Sequence, residues 1–270
     1  TRQQFYTKLT DIITKDTNYP QEEIVRYLAR EVRNVPEEVL LNANVFYIPD
    51  HDYLDYMTNG EAMLHKYGLY SGERCRFNQR MIIPIYDFNG LVSGFCGYDD
   101  GRDIAEGEEH VKYLYLSQDV FKKDRHWLMR PEEYLQAYKE QYIMIVDGVM
   151  DKLVLQYYGY NATSLLGTFL SDYHLKYLSY IKNWIVVSDQ DDAGQDLYNK
   201  CRIYNRGGNT VQLLYHNAGD IDERLQQKDN PVRKLREAFE TMKEEGFTLS
   251  CNMDAPLNTN IFNQLTGNTR

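Results

Sequence analysis

The chain has 270 residues, 43% of them hydrophobic and 26% charged, which excludes a disordered polymer and leaves room for two domains. No apolar run reaches the roughly 18 residues of a membrane span, no signal peptide opens the chain, and four scattered cysteines (Cys75, Cys96, Cys201, Cys251) exclude a sequence-local zinc ribbon. The net charge of −10 excludes a broadly basic nucleic-acid binder, but not a carboxylate site that holds metal ions. Sparse cysteine points to a reducing cytoplasm, and a start at Thr1 to a chain that begins inside a longer gene product or was processed. The 24 tyrosines read as compositional bias, with base stacking at only a few.

Residues Phe5 to Val32 are expected to form two helices. Pro20 followed by Gln21, Glu22 and Glu23 is a helix start, and Ile24, Tyr27, Leu28 and Val32 keep helical spacing. Pro36-Glu37-Glu38 opens a short third helix. From Val45 the pattern is irregular, with turns at Pro49-Asp50 and Asn59-Gly60. Met81 to Tyr86, a turn at Asp87-Phe88-Asn89-Gly90, and Leu91 to Phe95 predict an antiparallel hairpin. A Gly- and acid-rich loop runs from Asp99 to Glu109, and Lys112 to Leu116 is a third strand.

After Pro131 the character changes. A helix is expected from Pro131 to about Glu140, a strand over Tyr142–Val146, a helix over Met150–Tyr158 and a strand over Ala162–Leu166. A helix over Ser171–Tyr180, a strand over Trp184–Ser188, a helix over Ala193–Asn205 and a strand over Val211–Tyr215 follow. Strands alternating with helices of this length mean a parallel sheet. One amphipathic helix is expected over Val232–Gly246, and an Asn- and Thr-rich tail from Thr248 to Arg270 that docks or stays mobile. The fold class is α/β: an α+β subdomain over residues 1–130, a parallel-sheet domain over 131–228, and a short helix and tail over 229–270.

Acidic groups recur in one kind of place. Asp147 follows one buried strand, Asp189 and Asp191 follow another, and Asp220 and Asp222 lie beyond the last. In an open α/β sheet, ligands bind outside the carboxyl ends of the strands. Carboxylates converging there repel unless a cation lies between them. Mg²⁺ or Mn²⁺, which take oxygen ligands, fits that set and suits phosphoryl transfer. The rival reading makes these aspartates helix caps and turn residues. Arg74, Arg76 and Arg80 form one basic set, and Lys112, Lys122, Lys123 and Arg125 a second. They are phosphate donors or a solvated face. His174 lies away from the acidic rim and is read as structural; Trp127 and Trp184 are read as core.

Three stretches in order carry a resemblance: Val146-Asp147-Gly148-Val149-Met150-Asp151; Leu165-Leu166-Gly167-Thr168 with Asp172 and His174; and Asp189-x-Asp191-Asp192-Ala193-Gly194. They resemble the Toprim domain of DnaG-type DNA primases of bacteria and phage. Arg76-Phe77-Asn78-Gln79-Arg80 leading into Met81–Ile85, then Lys112-Tyr113-Leu114 and Phe121-Lys122-Lys123, are similar to that family's polymerase core, as are Phe46-Tyr47-Ile48-Pro49 and Lys66-Tyr67-Gly68-Leu69. The match covers about residues 5 to 225 in collinear order. The chain departs from the family at Asp147, where the family has Glu, at Gln190, where it has Gly, and at Tyr115, where it has Asn.

The resemblance implies a DNA-directed RNA polymerase of primase type, a nucleotidyltransferase that makes short RNA primers on single-stranded DNA from ribonucleoside triphosphates. It implies Asp147, Asp189 and Asp191 as catalytic and metal-holding groups, with Asp220 and Asp222 completing a second metal and Asp151 as a further candidate. For Asp151, a role on the rim and a plain first-turn acid are equally open. Arg76, Arg80, Lys112 and Lys123 would bind nucleotide and template. Expected partners are a replicative helicase and a separate or missing zinc-binding domain, with no membrane. The expected location is the cytoplasm of a bacterial cell or phage-infected host. Rival readings are a Toprim-type nuclease and a degenerate nucleotide- or DNA-binding module.

Overall fold

The computed structural model describes residues 1–58, 61–87, 89–99, 101, 111–126, 129–189 and 191–215, with residues 61, 189 and 213–215 as backbone only. The expectations for Asn59-Gly60, most of the loop after Asp99, Trp127, Gln190, Asp220, Asp222, and the helix and tail after Val232 lie outside the described residues. The chain divides into two compact units, Thr1–Lys123 and a second that begins at Asp124.

The first unit opens with α1 (Arg2–Thr14), whose cap is Thr1. Next comes α2 (Gln21–Tyr27), which runs on into a π-helical turn over Leu28–Arg33, and then α3 (Glu37–Asn42). Where the sequence looked irregular, the chain forms β1 (Phe46–Ile48), α4 (Tyr53–Thr58) and α5 (Glu61–Lys66). Two-residue strands β2 (Tyr70–Ser71) and β3 (Arg74–Cys75) pair with each other. The main sheet is β4 (Arg80–Tyr86), β5 (Val92–Tyr98) and β6 (Tyr113–Tyr115), in the order β1-β4-β5-β6, antiparallel throughout. The expected hairpin is β4–β5. Its turn is drawn tight by the Asp87 carboxylate, which accepts the Asn89 and Leu91 N–H groups at 2.8 and 3.0 Å.

One face of this sheet packs on α1 through Tyr6, whose ring meets Phe95 edge-on at 4.9 Å. The other face receives Phe121, which lies so close to β5 that a β-carbon at Gly94 would run into its ring.

The second unit contains α6 (Pro131–Glu140), β7 (Tyr142–Val146), α7 (Val149–Tyr157), β8 (Ala162–Ser164), α8 (Asp172–Leu178), β9 (Asn183–Asp189), α9 (Asp192–Tyr204) and β10 (Asn209–Tyr215). Every strand pairing is parallel, in the order β10-β9-β7-β8. The continuous apolar runs of β7 and β9 are therefore what a sheet covered on both faces requires. All five residues of β7 are buried, and Trp184 of β9 is 1% exposed with its indole N–H on the carbonyls of Leu178 and Ile181. Asp124 to His126 belong to this unit for a local reason. The Ser171 hydroxyl bonds the Asp124 carbonyl, and the His174 Nε2 lies 2.8 Å from the His126 carbonyl.

Candidate functional site

The parallel sheet fixes where the acids stand. Tyr142 of β7 is level with Asn183 of β9, and the register continues to Ile145 beside Val186. Extending it, Asp147 is level with Ser188, one residue before Asp189. The two strand ends thus deliver Asp147 and the Asp189-x-Asp191 pair to one rim, at the carboxyl edge of the sheet. Asp189 is the last residue of β9 rather than the first residue after it. Tyr215 of β10 is level with Asp189, so β10 also points its end at this rim.

Asp147 is exposed, and its own carbonyl is clamped by the Ser164 hydroxyl at 2.8 Å. Ser164 also accepts the Leu166 N–H at 3.1 Å. Leu166 sits at φ 61°, a left-handed conformation uncommon for a leucine, and is buried. Sequence reasoning caught the Leu-Leu-Gly-Thr motif but not Ser164, which ties the ends of β7 and β8 together. Past Asp147, Gly148 caps α7, and the Asp151 carboxylate folds back into the space a β-carbon at 148 would fill. Asp151 therefore lies against the turn at the start of α7, a place that both readings of this acid allow.

Asp191 is exposed, and its Oδ1 accepts the Gly194 N–H at 2.7 Å as the cap of α9. The capping reading of this aspartate is therefore correct, and one carboxylate oxygen remains outside that bond. Among the described residues, no three His, Cys, Asp or Glu side chains come together as a metal cluster. The carboxylate of Asp189 and both of the later aspartates stand outside that search.

His174 is fully buried, with Nδ1 accepting the Ser171 N–H at 3.2 Å and Nε2 donating to the His126 carbonyl. Both nitrogens are used and burial lowers its pKa, which makes it a neutral structural group. Behind the rim, Lys152 of α7 reaches Glu133 of α6 at 2.8 Å, the two side chains being 3% and 11% exposed. Gln156 bonds both, and Glu133 also accepts the Arg130 N–H at 3.0 Å. Burial would raise the Glu133 carboxyl, but the Lys152 ammonium and Arg130 outweigh it and hold it below its usual range. A single lysine inside the apolar run of α7 was the only sequence signal for this pair.

In the first unit, three of the four predicted basic residues surround β6. Arg76 donates through Nε to the Tyr115 carbonyl at 2.7 Å. Arg80 donates to the Val111 carbonyl at 2.9 Å and faces Asp99 at 3.6 Å, and its partial burial lowers its pKa. Lys123 sets its ammonium 3.8 Å from the centre of the Tyr115 ring. Lys112 lies farther out, exposed, with its ammonium 5.8 Å from the Tyr113 ring. Arg76, Arg80 and Lys123 are thus each held by a neighbour around β6, Arg80 with the Asp99 carboxylate facing it.

Comparisons with known proteins show three likenesses. A Toprim-like domain matches residues 144–225. The DNA primase of Escherichia coli K12 is 29% identical over 182 residues, 65% of this chain and 29% of that protein. The DNA primase of Borreliella burgdorferi is 32% identical over 174 residues, 60% of this chain and 32% of that protein. The chain thus spans about a third of the length of these relatives. A solved DnaG primase catalytic domain bound to single-stranded DNA superposes with a TM-score of 0.71 at 23% identity, covering 100% of this chain and 83% of that one. The chain thus shares a Toprim-like stretch and sequence similarity with bacterial DNA primases, and it has the fold of the DnaG catalytic core.

Proposed function

We propose that the chain is a primer-synthesising core, which joins ribonucleotides on a single-stranded DNA template. The observation that carries this is the rim: Asp147 and the Asp189-x-Asp191 pair stand at the ends of adjacent parallel strands within a Toprim-like sheet. Asp147 and Asp191 offer hard oxygen donors at exposed positions, which fits Mg²⁺ or Mn²⁺. Asp189, Asp220 and Asp222 would complete the set. A divalent ion held by these carboxylates would supply charge neutralisation for the phosphate oxygens of an incoming triphosphate. The protein's share is to hold carboxylates at fixed places: Ser164 clamps the Asp147 turn, and α9 anchors Asp191.

In the first unit, Arg76, Arg80, Lys112 and Lys123 would hold the triphosphate and the template backbone. A helicase and a separate zinc-binding domain would supply recruitment and choice of start site. Buried free thiols at Cys75, Cys96 and Cys201 go with a reducing, cytoplasmic location. The test is extension of a short RNA oligonucleotide annealed to DNA by one labelled ribonucleotide. Template-directed addition that needs Mg²⁺ or Mn²⁺ and is lost in Asp189→Ala plus Asp191→Ala supports the reading. Equal addition by parent and double variant refutes the role of the rim.

A further inference from the structure

We propose that Tyr115 positions the cations that receive the nucleotide's phosphates, holding Lys123 on its ring and Arg76 on its carbonyl. This rests on the nucleotide-binding reading of those two cations. Tyr115 lies in β6 opposite Cys96 of β5, which puts both side chains on one face of the antiparallel sheet. The Phe121 ring lies parallel to the Tyr115 ring, within 1° and with centroids 6.4 Å apart, and is itself seated on Gly94. The tyrosine ring is thus set in one orientation by the sheet beneath and Phe121 beside it.

The Lys123 ammonium lies 3.8 Å from the ring centre, well inside the distance at which a cation is drawn to an aromatic face. A lysine on an exposed segment otherwise samples many rotamers. The ring selects those that keep the ammonium over it, and the partial burial of the ammonium, which lowers its pKa, agrees with a held group. The same residue's carbonyl takes the Nε–H of Arg76 at 2.7 Å. The two terminal nitrogens of that guanidinium stand outside the bond, with the Asp119 carboxylate within its electrostatic reach, and they carry the kind of N–H groups that phosphate oxygens accept. The ring directs Lys123, while the backbone carbonyl at the same position, which any residue would offer, holds Arg76. An asparagine here, as in the resembling family, has no ring face to offer a lysine.

The test is a double-variant cycle on the full chain, read by equilibrium binding of a fluorescent ribonucleoside triphosphate, with thermal melting to monitor the fold. Lys123→Ala weakens binding. Tyr115→Leu weakens it by about five- to tenfold, the range of a partly desolvated cation–π contact. Tyr115→Phe, which keeps the ring, recovers most of that loss. Tyr115→Leu adds nothing further in the Lys123→Ala background. In the unaltered chain, the Lys123 side-chain methylene protons carry a ring-current shift that Tyr115→Phe retains.

If Lys123→Ala weakens binding and Tyr115→Leu does not, the positioning role is overturned while the nucleotide-binding reading stands. Additive losses overturn it in the same way, since Tyr115 would then act apart from Lys123. If neither variant changes binding, the nucleotide-binding reading fails and the proposal falls with it. Should Tyr115→Leu not fold, the absence of the ring-current shift in the parent chain is sufficient to overturn it.

Discussion

Asp191 has two roles that different substitutions separate. As the cap of α9 it accepts the Gly194 N–H, and as a rim carboxylate it would hold metal. Asp191→Ala removes both, and should cost about 1 kcal/mol of stability together with Mn²⁺ binding. Asp191→Asn keeps a capping oxygen but loses the charge, so urea denaturation should show near-parental stability while calorimetry shows weakened Mn²⁺ binding. Parental Mn²⁺ affinity in Asp191→Asn would make this aspartate a cap and nothing more. Asp147 is one methylene shorter than the glutamate of the resembling family, about 1.5 Å of reach. Because the Ser164 hydroxyl pins its carbonyl, the strand end is not free to slide forward in compensation. Asp147→Glu should therefore raise the extension rate and Asp147→Ala should abolish it; a slower Glu variant would mean that the site has adapted to the shorter acid.

His174 supplies a pH signature. Its folded-state pKa is lowered by burial, so the unfolded chain takes up a proton first as the solution is acidified. The stability it contributes is complete above its unfolded value of about 6.5 and declines as pH falls toward the folded value. The melting temperature of the parent should drop between about pH 7 and pH 5. In His174→Gln the drop should be smaller, and an identical slope would remove His174 from the account.

At the scale of elements, the buried Lys152–Glu133 pair joins α7, which begins just past Asp147, to α6. Removing one partner leaves a buried charge without its counterion, so Lys152→Met should cost about 3–5 kcal/mol in denaturant unfolding. Lys152→Met with Glu133→Leu replaces the pair by apolar groups and should recover most of that loss. If the double variant is as unstable as the single one, the pair matters through its geometry and not through its charge balance.

Most of the alternation from α6 to β10 was legible in the sequence because the longer helices and the apolar runs of β7 and β9 show their period; the three-residue β8 was legible only as an apolar stretch between two helices. β1, α4 and α5 were not, because segments of three to six residues do not complete a periodic pattern. The turn of the chain at Leu28–Arg33 was expected as plain helix. Its spacing suits an α-helix equally well; the turn observed is π-helical, with Ala29 fully buried within it.

At the scale of the molecule, the rim was legible for a topological reason. Once the sheet is parallel, every strand ends at the same edge, and the acids after those strands must share it. The cation cluster was legible as a list of basic residues but not as an assembly. Phe121 and Lys123 return onto Tyr115 from the segment just after β6, and Arg76 reaches its carbonyl from the distant segment before β4, a meeting that the list of basic residues does not reveal. Ser164 and Lys152 were missed for the same reason, since each acts on a partner at least 17 residues away.

The central claim is that one rim of carboxylates joins ribonucleotides on a DNA strand, and a single reaction tests it against its nearest rival. Labelled ribonucleoside triphosphates, an unlabelled ribonucleotide dimer to start chains, end-labelled single-stranded DNA, and Mn²⁺ or Mg²⁺ are incubated with the full chain, and both labels are read on one gel. The account predicts short RNA products, intact DNA, and the loss of those products in Asp189→Ala plus Asp191→Ala. Cut DNA without RNA products, with cutting abolished by the same two substitutions, would contradict it and assign the rim to phosphodiester hydrolysis.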